Sequence, residues 1–463
     1  MLFLNREAEL AALMALSGGR GGLAVVWGRR RVGKTRLLLE WCTRAGGLYT
    51  TADQSSPGTQ RAYLARAIAT VLPGFADVTY PDWDRLLTRL AADAGAAGFR
   101  GPVVIDELPY LVSTSPELPS VLQRWVDHDA RRARLSLAVA GSSQRMMQGL
   151  VLASDAPLYG RAQVLLDLSP LAPRHLTAAL GVRGASLVEH WTAWGGVPRY
   201  WELAADRPGT ARDRLIALAL DPLGPLFSEP ERLLLEESPP AVEVRPLLDA
   251  IGAGAHRVSE IAGRLGRPAT SLARPLDRLI GMGLVRRETP YGEPARGGKR
   301  SIYRIDDSFL RCWFRVVAPN RAALTAGTRR SRQGVLAPHW EGLLAQAWED
   351  LCRRAVPTLT RGALARLGPW HAPQRYWRGA EPEWDLVADA LQGSRTLVGE
   401  AWCSRTPVTP AGLRREATRL AARALPPPVH GRAVVRALFV PAVQAGAPRR
   451  IGDVHIVTLG EMI

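Results

Sequence analysis

The stretch Leu23-Ala-Val-Val-Trp-Gly28-Arg-Arg-Arg-Val-Gly-Lys34-Thr35-Arg-Leu-Leu-Leu-Glu-Trp41 decides the reading of this chain. Its centre, Gly28–Thr35, has the form GxxxxGK[ST]. An apolar run that predicts a buried strand precedes it, and an apolar-periodic run that predicts a helix follows. Phosphate binding requires that setting. Backbone N–H groups of Gly28, Arg31, Val32, Gly33, Lys34, Thr35 and Arg36 at the turn and helix start cradle phosphate oxygens, and the Lys34 ammonium reaches the β- and γ-phosphates. The Thr35 hydroxyl is placed to ligate Mg²⁺. Only two lysines occur in the chain, Lys34 and Lys299, against 60 Lys plus Arg in total. A chain that has otherwise exchanged lysine for arginine keeps the compact ammonium here, where the wider guanidinium fork does not fit. The stretch predicts binding of a nucleoside triphosphate.

Composition bounds the rest. At 463 residues the chain is long enough for about three domains, and 47% apolar residues suffice for packed cores. The formal charge of +17 permits a polyanionic partner, but arginine is spread along the whole chain in a way that looks like coding bias, so the charge is no evidence for one. The four cysteines, Cys42, Cys312, Cys352 and Cys403, match neither a disulfide framework nor a zinc spacing. With no apolar run of about 18 residues and too short an apolar start for a signal peptide, a soluble, cytoplasmic protein with no membrane partner is expected.

Residues 1–230 alternate apolar strand candidates (Leu23–Trp27, Leu48–Thr51, Val103–Ile105, Leu135–Ala140, Val164–Leu168) with helical stretches (Thr59–Val71, Trp83–Ala92, Leu118–Asp129), which predicts an α/β domain with a parallel sheet covered by helices. The proline-rich Asp221–Pro230 reads as a linker or hinge. Residues 231–320 and 321–463 read as two further domains.

Val103-Val-Ile-Asp-Glu107 puts two carboxylates at the end of a strand, about seventy residues after the loop. Asp106 is expected to hold Mg²⁺ through water, and Glu107 to polarise the attacking water. The strand ending in Gly141-Ser-Ser143 offers a hydroxyl, Ser142 among them, either to the γ-phosphate or water or simply to a strand-to-helix turn. Arg161, in Pro157-Leu-Tyr-Gly-Arg161, is either a transition-state cation or a solvated charge. Pro198, in Trp194-Gly-Gly-Val-Pro-Arg199, either presses on the base or ends a helix.

Together these pieces resemble the archaeal-type ATPases, in the branch of P-loop NTPases that includes AAA+ and STAND signalling ATPases. The resemblance also takes in Phe3-Leu-Asn-Arg-Glu-Ala-Glu-Leu10 and spans about half the chain in the family's order. It implies ATP as the nucleotide, Arg6 and Glu7 near the adenine end, Arg161 as an arginine responsive to the γ-phosphate, and Pro198 as a base contact.

Val258–Gly266 reads as a short helix and Arg267–Ser271 as a turn, with Thr270 or Ser271 available as N-cap. A second helix carries Leu272, Leu276, Leu279 and Ile280 on one face, with Arg274 and Arg278 off it. A hairpin through Leu284-Val285 and Ser301–Ile305 follows. The pattern resembles a winged helix-turn-helix. Arg274 and Arg278, with Arg296, Lys299 and Arg300 in the wing, are candidates for contact with double-stranded DNA; the alternative is a packing module that relays nucleotide state or mediates contact with another protein or a second copy.

The C-terminal region reads as a helix carrying Glu349, paired strands around Leu391–Ser394, the helix Ala411–Ala424 and the strand Ala433–Val440. After the preceding domains it resembles the family's restriction-endonuclease-like C-terminal domain. That resemblance implies a second metal site at Asp385 and Glu400, with Glu349 accessory and a lysine two residues past the glutamate. This chain has Trp402 there, and arginine cannot replace lysine as a base. The sequence therefore predicts an ATP-dependent molecular switch with a degenerate nuclease-like domain. Its alternatives are an ATP-gated DNA-binding regulator and an ATP-powered nuclease.

Overall fold

The structure, a computed structural model, describes residues 3–142, 144–151, 156–237, 244–294 and 300–463. Ser143, Arg296 and Lys299 lie outside them. The chain forms two compact units, Met1–Leu171 and Ala172–Ile463.

The first unit opens with α1 (Glu7–Ser17), β1 (Gly22–Trp27), α2 (Lys34–Ala45), β2 (Leu48–Thr51), α3 (Pro57–Ala69) and α4 (Trp83–Ala97). Then come the strands β3 (Val103–Asp106), β4 (Ser136–Gly141) and β5 (Ala162–Asp167), with shorter helices between them. The five strands form one sheet in the order β2-β3-β4-β1-β5, and every pairing is parallel. The expected α/β architecture with a covered parallel sheet is what the chain adopts.

A side-chain period of two explains the layering. On β1, Leu23, Val25 and Trp27 join the core formed with α3 and α4, whereas Ala24 and Val26 join Leu10, Leu13, Leu37 and Trp41 of α1 and α2 on the other face. Both faces are apolar because both are covered, as parallel sheets require. Local signals set the helix limits. Ser56 caps α3 with Pro57 in its first turn, and Asp82 caps α4 by accepting from Arg85 N at 2.7 Å.

In the second unit, the helices Arg245–Gly252, Val258–Leu265 and Ala273–Gly281 lead into an antiparallel pair, β6 (Val285–Glu288) and β7 (Ile302–Ile305). Leu272, Leu276 and Leu279 are buried and Arg274 is exposed, as the periodicity predicts. The expected N-cap is not used. A 3₁₀ turn, Ala269–Leu272, feeds the helix, Leu272 holds the cap position, and the Ser271 hydroxyl donates back to Pro268 O at 2.7 Å. The proline-rich passage is no open linker, because Leu226 and Phe227 are buried and Trp313 Nε1 donates to Phe227 O at 2.9 Å.

The long helix Arg329–Ala355 precedes a six-stranded sheet made of β8 (Gln374–Tyr376), β9 (Trp384–Asp389), β10 (Arg395–Ala401), β11 (Ala433–Val440), β12 (Arg450–Ile451) and β13 (Val454–Thr458). Its order is β12-β13-β11-β10-β9-β8. β9 and β10 are antiparallel neighbours, and the helix Pro410–Ala422 lies in the connection to the parallel β11. β8, β12 and β13 went unread in the sequence.

A buried ionic cluster holds the long helix to the hairpin. Asp350, 3% exposed, meets Arg286, Arg311 at 2.5 Å and Arg353 at 2.6 Å. Burial alone would raise its carboxyl, but Arg286, Arg311 and Arg353 outweigh that and hold it well below the usual carboxylate range. Asp350→Asn keeps the shape but removes the buried charge that three guanidiniums share, so it should destabilise this unit by about 3–5 kcal/mol in urea unfolding at pH 7. A carboxyl depressed on folding contributes stability that is complete above its unfolded value near 3.9 and is lost as pH falls through its folded value. The deficit of Asp350→Asn should therefore shrink as pH is lowered below about 4.

Candidate functional site

The loop after β1 turns sharply because its backbone enters regions that favour glycine. Gly28 has φ 143°, and a Cβ there would lie 2.5 Å from Leu168 O. Gly33 has φ 99° and holds the cap position of α2. Arg31 shares the left-handed region at φ 68°. Val32 is buried beneath the loop, whereas Thr35 and Arg36 are exposed at the helix start.

Three strands bring the expected residues together. Lys34, 5% exposed, points its Nζ back at the loop, donating to Gly28 O at 2.8 Å and Arg29 O at 3.4 Å. Thr35 Oγ1 donates to Asp106 Oδ2 at 2.8 Å. Asp106 ends β3, and its other oxygen accepts from Glu107 N at 2.9 Å. Glu107 sits at φ 56°, a bend that turns its carboxylate away from the β3 axis towards the end of β4. There it accepts from Ser142 N at 3.3 Å and from the Ser142 hydroxyl. β4 lies between β1 and β3, so loop, carboxylates and serine meet at the carboxyl ends of neighbouring strands, where open α/β sheets bind ligands.

Sequence reasoning missed Tyr49. Its hydroxyl donates to Asp106 Oδ2 at 2.8 Å, and burial, followed by the charge of Asp106, raises it above the usual phenol range. The available signal was the parallel pairing of two consecutive strands, which sets residues 48–51 beside 103–106.

Arg6 is 7% exposed and braces the loop, donating to Val32 O at 3.2 Å and Ser169 O at 2.6 Å and pairing with Glu9 at 2.9 Å. Arg161 precedes β5, its Nε paired with Asp127 at 2.8 Å. Pro198 begins the helix Pro198–Ala205, in the second unit.

A second carboxylate group lies on the C-terminal sheet and long helix. Asp385 on β9 accepts from Ala401 N at 3.0 Å, and Glu400 on β10 is bonded by Arg423. Glu349 has Arg353 at 3.5 Å and Arg375 at 3.8 Å. Burial and then the charge of Glu400 raise the Asp385 carboxyl; burial and then Asp385 raise Glu349. Trp402 packs partly buried against the domain core, leaving arginines as the cations of this region.

Comparison with known proteins bears on the first site. A family model described as an ATPase domain predominantly from Archaea matches residues 3–203. An uncharacterized protein of Methanocaldococcus jannaschii is 30% identical over 328 residues, which cover 70% of this chain and 71% of that one, so the likeness runs beyond the ATPase domain. Among solved structures, a Walker-type ATPase of Pyrococcus abyssi superposes with a TM-score of 0.54 at 19% identity, covering 68% of this chain and 96% of that one, a likeness of fold. The Aeropyrum pernix ORC2 protein, solved as ADPNP and ADP complexes, is a more remote likeness at a TM-score of 0.40 and 16% identity, over 69% and 94% of the two chains. With Gly28–Thr35, Asp106 and Glu107 assembled at one end of a five-stranded parallel sheet, the chain belongs to the archaeal-type family of P-loop ATPases.

Proposed function

We propose that the chain is an ATP-hydrolysing molecular switch whose resting state is the arrangement described above. The observation that carries this is the pair of hydrogen-bonded links Thr35–Asp106 and Ser142–Glu107, which join the phosphate loop to the first carboxylate and the end of β4 to the second. In this reading Lys34 exchanges its bonds to loop carbonyls for the β- and γ-phosphates. The backbone N–H groups of Gly28–Arg36 cradle the phosphates, while Arg6 keeps the loop in shape. The hydroxyl of Thr35 and the carboxylate of Asp106 form a hard oxygen donor set that suits Mg²⁺, completed by waters and phosphate. When bound, Mg²⁺ neutralises phosphate charge. Glu107 is the group that orients and deprotonates water, and in the resting state Ser142 occupies its oxygens. Turnover therefore needs Ser142 to change partner, which couples γ-phosphate occupancy to the availability of the base. Arg161 must likewise leave Asp127 to meet the γ-phosphate, and Pro198 is assigned to the adenine.

We assign residues 1–230 to the ATPase domain, 231–320 to a winged helix-turn-helix and 321–463 to a restriction-endonuclease-like domain. Two short helices followed by an antiparallel hairpin support the second assignment. An antiparallel strand pair joined through a helix to a parallel strand supports the third. Exposed Arg274 at the start of the helix Ala273–Gly281 suits a phosphate of duplex DNA. The carboxylates of Glu349 and Glu400 face arginines, an arrangement that does not fit a divalent cation, so the C-terminal domain is read as a binding module and no metal step is routed through it.

Lys34→Ala should abolish ATP turnover, and Glu107→Gln should bind ATP yet turn over at least about 10²-fold more slowly. An unchanged rate in either variant refutes the site. Turnover measured with and without duplex DNA tests the switch. Stimulation that fades with salt and is weakened in Arg274→Ala, with a salt slope smaller by about one, places DNA on the winged helix; a rate indifferent to DNA assigns the switch to a protein partner. A nicking assay with Mg²⁺ should show no cleavage; cleavage lost in Asp385→Ala would restore the nuclease reading.

A further inference from the structure

Within the second unit lies a cavity of about 20 Å³ whose polar lining is His256, Arg304, Arg311, Arg315 and Gln346, with Ile305 among its apolar walls. No carboxylate lines it. Arg311 is neutralised elsewhere, by Asp350 at 2.5 Å and the Ile305 carbonyl at 3.1 Å. The other two guanidiniums are less closely matched. The Arg304 side chain is 14% exposed, and its one ion pair, Nε to Glu288 Oε2, is long at 3.7 Å, beyond hydrogen-bond reach, while the other Glu288 oxygen serves Arg286. Burial, then the like charge of Arg375, pushes Arg304 down to about 10. Arg315, half-buried in the turn Trp313–Val317, makes no hydrogen bond or ion pair with the described residues; after burial, the charge of Arg304 and, less, that of Arg315 hold His256 low, and Arg315 does the same to His339.

The acidic groups close by are already engaged: Glu288 is shared between Arg286 and Arg304, Glu349 faces Arg353 and Arg375, Asp350 has its three arginines, and Glu260 accepts from the N–H groups of His256 and Arg257. His256 Nδ1 lies 3.1 Å from Tyr303 O, so that nitrogen serves the backbone. A cation that is buried or half-buried and poorly paired is incompletely compensated, and an incoming anion would relieve that cost. The size is restrictive. A cavity of about 10–15 Å³ admits one water, so this one takes an occupant of water-like dimensions or slightly larger and no nucleotide.

We propose that this cavity binds a monatomic anion of the halide class between the Arg304 and Arg315 guanidiniums with Gln346 as a further donor. Such an anion joins three elements here, two of which carry like charge: β7 through Arg304, the turn Trp313–Val317 through Arg315, and the long helix through the neutral Gln346.

The phosphate loop is itself an anion site, so the test uses the full chain carrying Lys34→Ala. Amide hydrogen exchange over 302–317 is followed at constant ionic strength while gluconate is replaced by chloride or by orthophosphate. Protection should be flat below the dissociation constant and rise by about tenfold for each tenfold rise in anion above it. Adding Arg315→Gln should remove that dependence while leaving protection in gluconate equal or higher, because a like charge has gone. Gln346→Ala, a milder change, should shift the midpoint to higher anion concentration. No anion response in the Lys34→Ala chain, or an unchanged response after Arg315→Gln, would overturn the proposal. Response to chloride but not to orthophosphate is the expected result; response to orthophosphate alone would also overturn the proposal, since that ion is larger than the cavity.

Discussion

The buried carboxylate of Asp106 is the constraint around which the nucleotide site is arranged. One oxygen takes hydrogen bonds from the Thr35 and Tyr49 hydroxyls and the other from the Glu107 N–H, so a single residue at the end of β3 fixes the loop, the neighbouring strand and the following turn. A carboxylate 2% exposed needs such partners, since an unpaired buried charge costs several kcal/mol. In meeting its own requirement Asp106 orients Thr35. It also helps hold Glu107 in the left-handed conformation that carries its carboxylate to Ser142.

The second unit rests on the same principle, applied to packing. Asp350 is satisfied only when Arg286 from β6, Arg311 from the helix Ser308–Cys312 and Arg353 from its own helix converge on it. Arginine suits this role because its fork donates in several directions and stays charged when buried. The arginine-rich composition that makes the charge uninformative about partners thus has a use in the interior. It also leaves Arg304 and Arg315 without comparable acceptors, an imbalance that only tertiary packing exposes.

How much could be read from the residues depended on whether an interaction is local. The phosphate loop was legible because Gly28, Gly33 and Lys34 meet a local backbone demand, and β1 because both its faces are apolar. The Asp-Glu pair was legible because it ends an apolar run. Tyr49 was not, because its role exists only once β2 lies beside β3. The N-cap expected at Thr270 or Ser271 failed because a 3₁₀ turn competes for the same residues. The strands β8 and β12 escaped notice because they are three and two residues long, too short to display a period.

The sequence by itself determined a phosphate-binding loop on a covered parallel sheet, since glycine placement, one retained lysine and apolar periodicity act through the nearest residues in the chain. Tertiary structure alone decided which groups those side chains engage: Ser142 on Glu107, Asp127 on Arg161, arginines on Glu349 and Glu400. Charge pairing depends on distance through space between residues tens of positions apart, and one-dimensional spacing carries no measure of that distance.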